Sequence, residues 1–280
     1  MFERVQYKKR ARQHLKGHQK VAMQVSILLF FISMIVQLIN LPELSHQVAS
    51  TDSGNFKMTL FSANFSLTSA NDSVGFFSSL LFFVLYSILM MATVHFFLAF
   101  SKNNKITFSA FLEGLSLWLK GVRAYAWQML WIGLWSLLFF IPGIVKAVAY
   151  SQTVLILADN PKVGVRRAMR MSLEMTKGHK GSLFFMSLSF LGWVLLASLP
   201  GSICVGLIDS FPQYTQVLSV LGMILSNFCI AFLLPYAATA FMYAYEFLKQ
   251  DAINKKVLRP EDFGQTEQAE QTHSTTAENQ

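Results

Sequence analysis

Charge is scarce in this chain. Of 280 residues only 14% are Asp, Glu, Lys or Arg, where a soluble domain carries about a quarter. That shortage excludes an ordinary water-soluble domain, because the apolar residues, 53% of the total, gather into runs near the roughly 20 residues a helix needs to cross hydrocarbon. Cysteine is almost missing as well. Cys204 and Cys229 both fall inside apolar segments, which suits small buried hydrophobes and excludes a disulfide framework or a cysteine metal site. The sequence contains no Walker loop, no zinc-protease helix motif, no nucleophile elbow and no Gly-x-Gly-x-x-Gly. Of the histidines His14, His18, His46, His95, His179 and His273, only His14 and His18 stand at i, i+4, in a basic stretch without a nearby carboxylate. No metal and no cofactor is expected.

What the chain does have is basic charge in particular places. The formal net charge is +8. The basic residues flank apolar runs instead of forming a separate block, which points to a membrane surface and away from nucleic acid. Six spans fit the apolar runs, at about 21–40, 76–100, 124–141, 143–158, 183–207 and 217–247. The third and fourth form a hairpin turned by Pro142-Gly143, with a re-entrant loop as the alternative. The first run is too long for a signal-peptide core and lacks a clean cleavage site, so it reads as a retained span. The reading is therefore all-α: a polytopic transmembrane helical bundle, one membrane domain over 1–248. Residues 249–280 read as a disordered cytoplasmic tail, with five acids and no Lys or Arg after Arg259.

The charge bias sets the orientation. Residues 1–20 hold seven Lys/Arg against one acid, 101–123 hold four against one, and 159–182 hold six against two. Segment 41–75 holds only Lys57 against three acids, and the turn near 208–216 holds only Asp209. An even number of crossings between the basic segments keeps them all on one side, with both termini cytoplasmic. The polar loop 41–75, with its sequons at Asn64 and Asn71, is then external.

Each basic segment contains a Lys-Gly step that leads into an apolar run: Lys16-Gly17-His18, Lys120-Gly121 and Lys177-Gly178-His179-Lys180. The stretch before each step is amphipathic at helical spacing. Tyr7, Ala11 and Leu15 share a face. So do Phe108, Phe111, Leu112, Leu115 and Leu119, and so do Val165, Ala168, Met169, Ser172 and Thr176, with Arg166, Arg170, Glu174 and Lys177 opposite. These read as short interfacial helices, the third starting at Asn160-Pro161, each ended by a glycine in the left-handed conformation. Lys16, Gly17, His18, Lys120, Gly121, Arg166, Arg167, Arg170, Lys177, Gly178, His179 and Lys180 are thus candidates for contact with anionic head groups. Interfacial anchoring is the simpler reading of the same residues.

Ionisable groups inside the spans are few. His95 and Glu246 lie near inner ends, Asp209 near an outer end, and Lys146 just past the Pro142-Gly143 turn. This argues against ion-coupled transport. Asp159, Glu174 and His179 could in principle serve acid–base chemistry, but helix-end, ion-pair and interface roles explain them more simply.

Several stretches resemble a known family. Ile141-Pro142-Gly143-Ile144-Val145-Lys146-Ala147, Ile156-Leu157-Ala158-Asp159-Asn160-Pro161, Met175-Thr176-Lys177-Gly178-His179-Lys180, Leu188-Ser189-Phe190-Leu191-Gly192-Trp193, Leu234-Pro235-Tyr236 and Tyr243-Ala244-Tyr245-Glu246 are similar to a bacterial family of integral membrane proteins catalogued as domain-of-unknown-function family 975. The resemblance covers about residues 1 to 248, departing at Thr176 and in the long external loop. It implies a membrane fold in a bacterial cell membrane and supplies no catalytic residues. The function expected is that of a non-enzymatic accessory or scaffold protein whose basic cytoplasmic face contacts anionic lipid or a membrane protein partner. The alternative is a small transporter or permease component for a neutral or lipid-like substrate.

Overall fold

Apolar runs with few helix breakers become long helices, and the computed structural model follows that rule. It describes residues 4–39, 58–60, 63–65, 73–102, 108–208 and 210–263; the side chains of 4–5, 16–19, 36–39, 58–60, 63–65, 73–79 and 140 lie outside the description. The order is α1 (Arg4–Ile39), a small antiparallel hairpin of β1 (Met58–Leu60) and β2 (Ala63–Phe65), α2 (Ser73–Lys102), α3 (Ser109–Ser116), α4 (Trp118–Leu138), α5 (Phe140–Tyr150), α6 (Thr153–Asp159), α7 (Val165–Met175), α8 (Lys180–Gly206), a short 3₁₀ turn Pro212–Tyr214, α9 (Thr215–Asn254) and a second 3₁₀ turn Pro260–Phe263. In the hairpin Met58 pairs with Phe65.

Among the described residues four helical stretches are long and apolar enough to cross a membrane: Leu80–Lys102, Ile141–Asp159, Lys180–Gly206 and Pro212–Asn254. Taking α1, which bends by 96° between Gln6–Leu15 and Lys20–Ile35, as one span makes five. Several long apolar helices of this kind suggest a multi-pass membrane protein. The run expected at 124–141 is not among them. It lies in α4, where Lys120, Arg123, Gln128 and the Trp and Tyr residues dilute the apolar character.

The chain divides into two compact units, one from the described residues of 1–17, 87–187 and 238–280, the other from those of 18–86 and 188–237. The second unit is built by close approach of small residues, as helix packing in lipid favours. A Cβ on Gly222 would lie 3.2 Å from the Gly201 Cα. The Gly201 N–H, beside the helix-interior Pro200, donates to the Ser226 hydroxyl at 3.0 Å, and Ser33 donates to Asn227 at 2.7 Å. Large apolar side chains such as Phe31, Leu195, Ile203, Val217 and Phe228 stay exposed, an arrangement suited to an apolar solvent.

The first unit has an interior. Met91, Phe96, Phe97 and Phe100 of α2, Ile156 and Leu157 of α6, and Tyr245 and Leu248 of α9 are buried. The α4–α5 hairpin turns at Phe139, the only non-helical residue between the two helices, and not at Pro142-Gly143. Pro142 instead occupies the first turn of α5, where its missing N–H costs nothing. Gly143 is wanted there for space, since a Cβ would run into the Ser136 hydroxyl and lie 3.0 Å from the Ser136 Cα.

The amphipathic faces are real, but protein covers most of the first and third and only part of the second. Tyr7 and Ala11 are buried, as are Ala168, Met169, Ser172 and Thr176 of the α7 face, while Phe108, Leu112 and Leu119 remain exposed. Periodicity reports which side of a helix is apolar, not what packs on it. The start of α7 also differs from expectation. Asn160 ends α6 and its side chain accepts the Lys162 N–H at 3.1 Å, so α7 begins only after Gly164. Ser172 has a specific task. Its hydroxyl donates to the Ala149 carbonyl at 2.7 Å and accepts the Gln152 N–H at 3.3 Å, filling the break between α5 and α6. Ser172→Ala should therefore lower stability by about 1–3 kcal/mol, the cost of stranding buried backbone groups, read as a lower melting temperature in detergent. Ser187→Ala, on an exposed face, should leave it unchanged; equal melting of the two variants would refute the role of Ser172.

Candidate functional site

Among the charged residues of the first unit one set is paired around a buried carboxylate and another is exposed, while Glu246 is half-buried with its Oε2 lacking a hydrogen-bond partner among the described residues. The buried set centres on Asp159. This carboxylate sits at the C-terminal end of α6, where the helix dipole opposes it, and its side chain is only 3% exposed. Two cations offset both penalties. Lys102, the last residue of α2, pairs with Oδ1. Lys249 of α9, its side chain 2% exposed, donates to Oδ2 at 2.6 Å. The Tyr245 hydroxyl, one turn before Lys249, donates to the same oxygen at 3.0 Å.

The segment after α9 closes over this cluster. Lys256 takes a left-handed conformation, φ 55°, and the Val257 N–H returns to the Ala252 carbonyl at 3.0 Å, a helix-ending pattern usually made with glycine. Leu258 and Phe263 are buried. The Lys249 ammonium lies 5.0 Å from the Phe263 ring centre. Asp262 pairs with Arg167, accepts the Arg259 N–H on its side chain at 3.1 Å, and accepts from the Asn160 amide on its carbonyl at 3.2 Å. Residues 249–263, read from composition as part of a disordered tail, are thus structured. The buried anchors Lys249, Leu258 and Phe263 are too widely spaced to register against the polar background. Residues 264–280 lie outside the described residues.

The candidates for head-group contact fare differently from one another. Lys16, Gly17 and His18 are carried by the α1 backbone, but their side chains lie outside the described residues, as does Asp209. Lys120 donates to the Pro161 carbonyl. Gly121 is helical and buried, not left-handed. Its hydrogen faces Met91, whose Cβ would stand 2.8 Å from an added Cβ, so this glycine serves close packing, and the break before α4 comes earlier, at Leu117. Gly178 does take the left-handed conformation, φ 87°, and turns the chain from α7 into α8. His179 donates to Asp251 at 2.9 Å; Asp251 also receives Lys255 at 2.5 Å. His179 therefore meets a carboxylate that sequence reasoning had not paired with it. Arg167 is engaged by Asp262 and Lys180 is half-buried. Arg166, Arg170 and Lys177 are exposed, and the Arg166 guanidinium lies 5.0 Å from the centre of the Trp127 ring of α4. Among the described residues no three His, Cys, Asp or Glu side chains converge as metal ligands would.

Residues 129–252 match the family model described as Protein of unknown function (DUF975). No curated protein and no solved structure matches the chain. All six stretches that carry the resemblance to this family lie inside the matched region. Two of them, Ile156–Pro161 and Tyr243–Glu246, meet at the Asp159–Tyr245 hydrogen bond. The DUF975 match begins at Met129, so it narrows the expected coverage and leaves out Lys102.

Lys249 and Tyr245 were missed as partners of Asp159. The available signal was a lone Lys one turn after a Tyr on a long apolar helix. Removing one member of a buried pair typically costs about 3–5 kcal/mol, whereas apolar replacement of both is far milder. Lys249→Met should thus destabilise strongly, Asp159→Leu with Lys249→Met should recover much of the loss, and half-exposed Lys102→Met should cost about 1 kcal/mol or less. A double-mutant cycle on melting temperature tests this; strict additivity would show that the pair is not coupled.

Proposed function

We propose that this is a non-enzymatic accessory or scaffold protein of the bacterial cytoplasmic membrane, both termini cytoplasmic, whose basic face contacts anionic lipid head groups. The observation that carries this reading is the state of α7. Its apolar face is packed into the protein while Arg166, Arg170 and Lys177 stay exposed. A helix held rigid from behind presents cations without the entropic cost of ordering them. The Arg166–Trp127 contact adds an aromatic ring of the kind that settles at membrane interfaces.

The protein's own packing decides how this should be tested. An isolated α7 peptide would insert its apolar face artificially, so the full chain is required. Each Lys or Arg near an anionic surface is worth about 1 kcal/mol. Arg166→Gln with Arg170→Gln should therefore weaken anionic-lipid retention by about 2 kcal/mol, roughly thirtyfold, in native mass spectrometry of the detergent-extracted protein. Retention unchanged by the double variant would end this reading.

A second reading, a permease component for a neutral or lipid-like substrate, draws on the break between α5 and α6. Beside it the Gln152 Oε1 and Thr153 Oγ1 atoms are buried without a hydrogen-bond partner among the described residues, and broken helices are where transporters hold solutes. Gln152→Leu should alter solute flux in proteoliposomes under that reading and leave the lipid preference untouched; a flux equal to that of protein-free vesicles in wild type and variant alike would exclude it.

A further inference from the structure

We infer that the α4–α5 hairpin is a re-entrant wedge, which enters the bilayer from the side that carries α7, seats its tip among the acyl chains near the middle of the bilayer, and returns without crossing. This goes beyond head-group contact and stands independently of it, because it concerns the hydrocarbon and rests on other residues.

The tip is apolar and uncovered. From Leu137 to Val145 no side chain is polar. Leu137 is 87% exposed, Phe139 68% and Ile141 75%. Burying such a side chain is worth about 1.5–3 kcal/mol, so leaving several in water together would be costly. A hairpin that crossed completely would put this tip in water on the far side. The segments that the charge pattern assigns to that side look different: 41–75 is rich in Ser, Asn and Thr, and 208–216 carries Asp209, Ser210 and Gln213.

Two backbone hydrogen bonds close the tip and reduce the number of polar groups it would bring into hydrocarbon. The Phe139 N–H donates to the Trp135 carbonyl at 3.1 Å, and the Phe139 carbonyl accepts the Gly143 N–H at 3.3 Å. Pro142 removes a donor that would otherwise be stranded. Lys146, the one charge on this stretch, lies 4.8 Å from the centre of the Trp135 ring and 5.9 Å from that of Tyr150, the aromatic company that lets a cation persist away from water.

Depth follows from the polar collar at the hairpin's root. Gln128 of α4 donates to the Tyr150 carbonyl at 3.2 Å, fixing the two arms at one level. Trp127 with Arg166 and the helix break filled by Ser172 lie next along the chain on either arm. Beyond the collar Met129, Leu130 and Leu134 are exposed. From Gln128 to Phe139 a helix rises about 17 Å, a little over half of the roughly 30 Å hydrocarbon thickness. The tip therefore stops inside the membrane. With the hairpin contributing no crossing, α1, α2, α8 and α9 remain, an even number, and the basic segments 1–20, 101–123 and 159–182 all stay on one side.

The test uses the full-length protein with Cys204 and Cys229 replaced by Ala and single cysteines introduced as Phe139→Cys, Glu174→Cys or Lys57→Cys. A membrane-impermeant maleimide should label Lys57→Cys in intact cells and Glu174→Cys only in inside-out vesicles. Phe139→Cys should be labelled in neither until detergent is added. A nitroxide on Phe139→Cys should collide freely with oxygen and little with a water-soluble nickel complex. Labelling from outside would mean two full crossings, labelling from inside would place the tip in water, and low oxygen accessibility would seat it against protein such as a second copy; each overturns the wedge. Because Phe139 is exposed its replacement spares the interior, and repeating the measurement at Leu137→Cys guards against a local defect.

Discussion

A carboxylate taken out of water at the wrong end of a helix has to be met by cations, and Asp159 imposes that demand on the whole first unit. The α6 dipole and the loss of solvent both disfavour its charge. Lys102 and Lys249 supply the compensation, and they can do so only if the ends of α2 and α9 come to the end of α6. Three elements distant in sequence thus meet at one residue. Tyr245 satisfies a further lone pair, and Phe263 covers the Lys249 ammonium from the other side. Ordering of the segment after α9 is then understandable: it shields a cation that would otherwise be only partly matched.

The same economy governs the backbone. Where α5 gives way to α6, buried peptide groups lose their helical partners. Ser172 serves a donor and an acceptor there with one hydroxyl, and Thr176 donates to the Ser172 carbonyl at 2.8 Å. That is why polar residues sit on the apolar face of α7. They do not weaken its amphipathicity, because the surface it covers has a polar seam at that point.

Length and apolarity act locally, so the large helices were legible. The runs expected at 76–100, 183–207 and 217–247 correspond to α2, α8 and α9. Conformational signals of glycine and proline were legible only in part, because each residue has two uses. Gly178 is left-handed as its position after α7 suggested, whereas Gly121 in the same Lys-Gly step is helical and admits the Met91 side chain. Pro142 could end one helix or begin another, and it begins α5. The pairing of Asp159 with Lys249 left only a faint local trace, the lone Lys one turn after a Tyr. An ion pair across ninety positions has no periodicity, and the polar composition that follows Lys249 masked its membership of a buried cluster.

The basic charge of the chain therefore overstates what its surface offers. Lys102 and Lys249 are bound to Asp159, Arg167 to Asp262, and Lys120 to the Pro161 carbonyl; these cations hold the fold. In the segment 159–182 the exposed ones are Lys162, Arg166, Arg170, Lys177 and, through its ion pair, Arg167. Arg166 rests on Trp127, at the root of the hairpin whose tip is bare and apolar. Cations and exposed hydrocarbon are thus anchored on one rigid platform, with an aromatic ring between them. Such a sequence of polar, aromatic and apolar surface along a single direction matches the gradient from head groups to acyl chains. Water offers no such gradient, and a protein partner would have to reproduce it residue by residue. The ordering of those three surfaces, more than the number of charges, is what supports the proposed contact of this face with lipid.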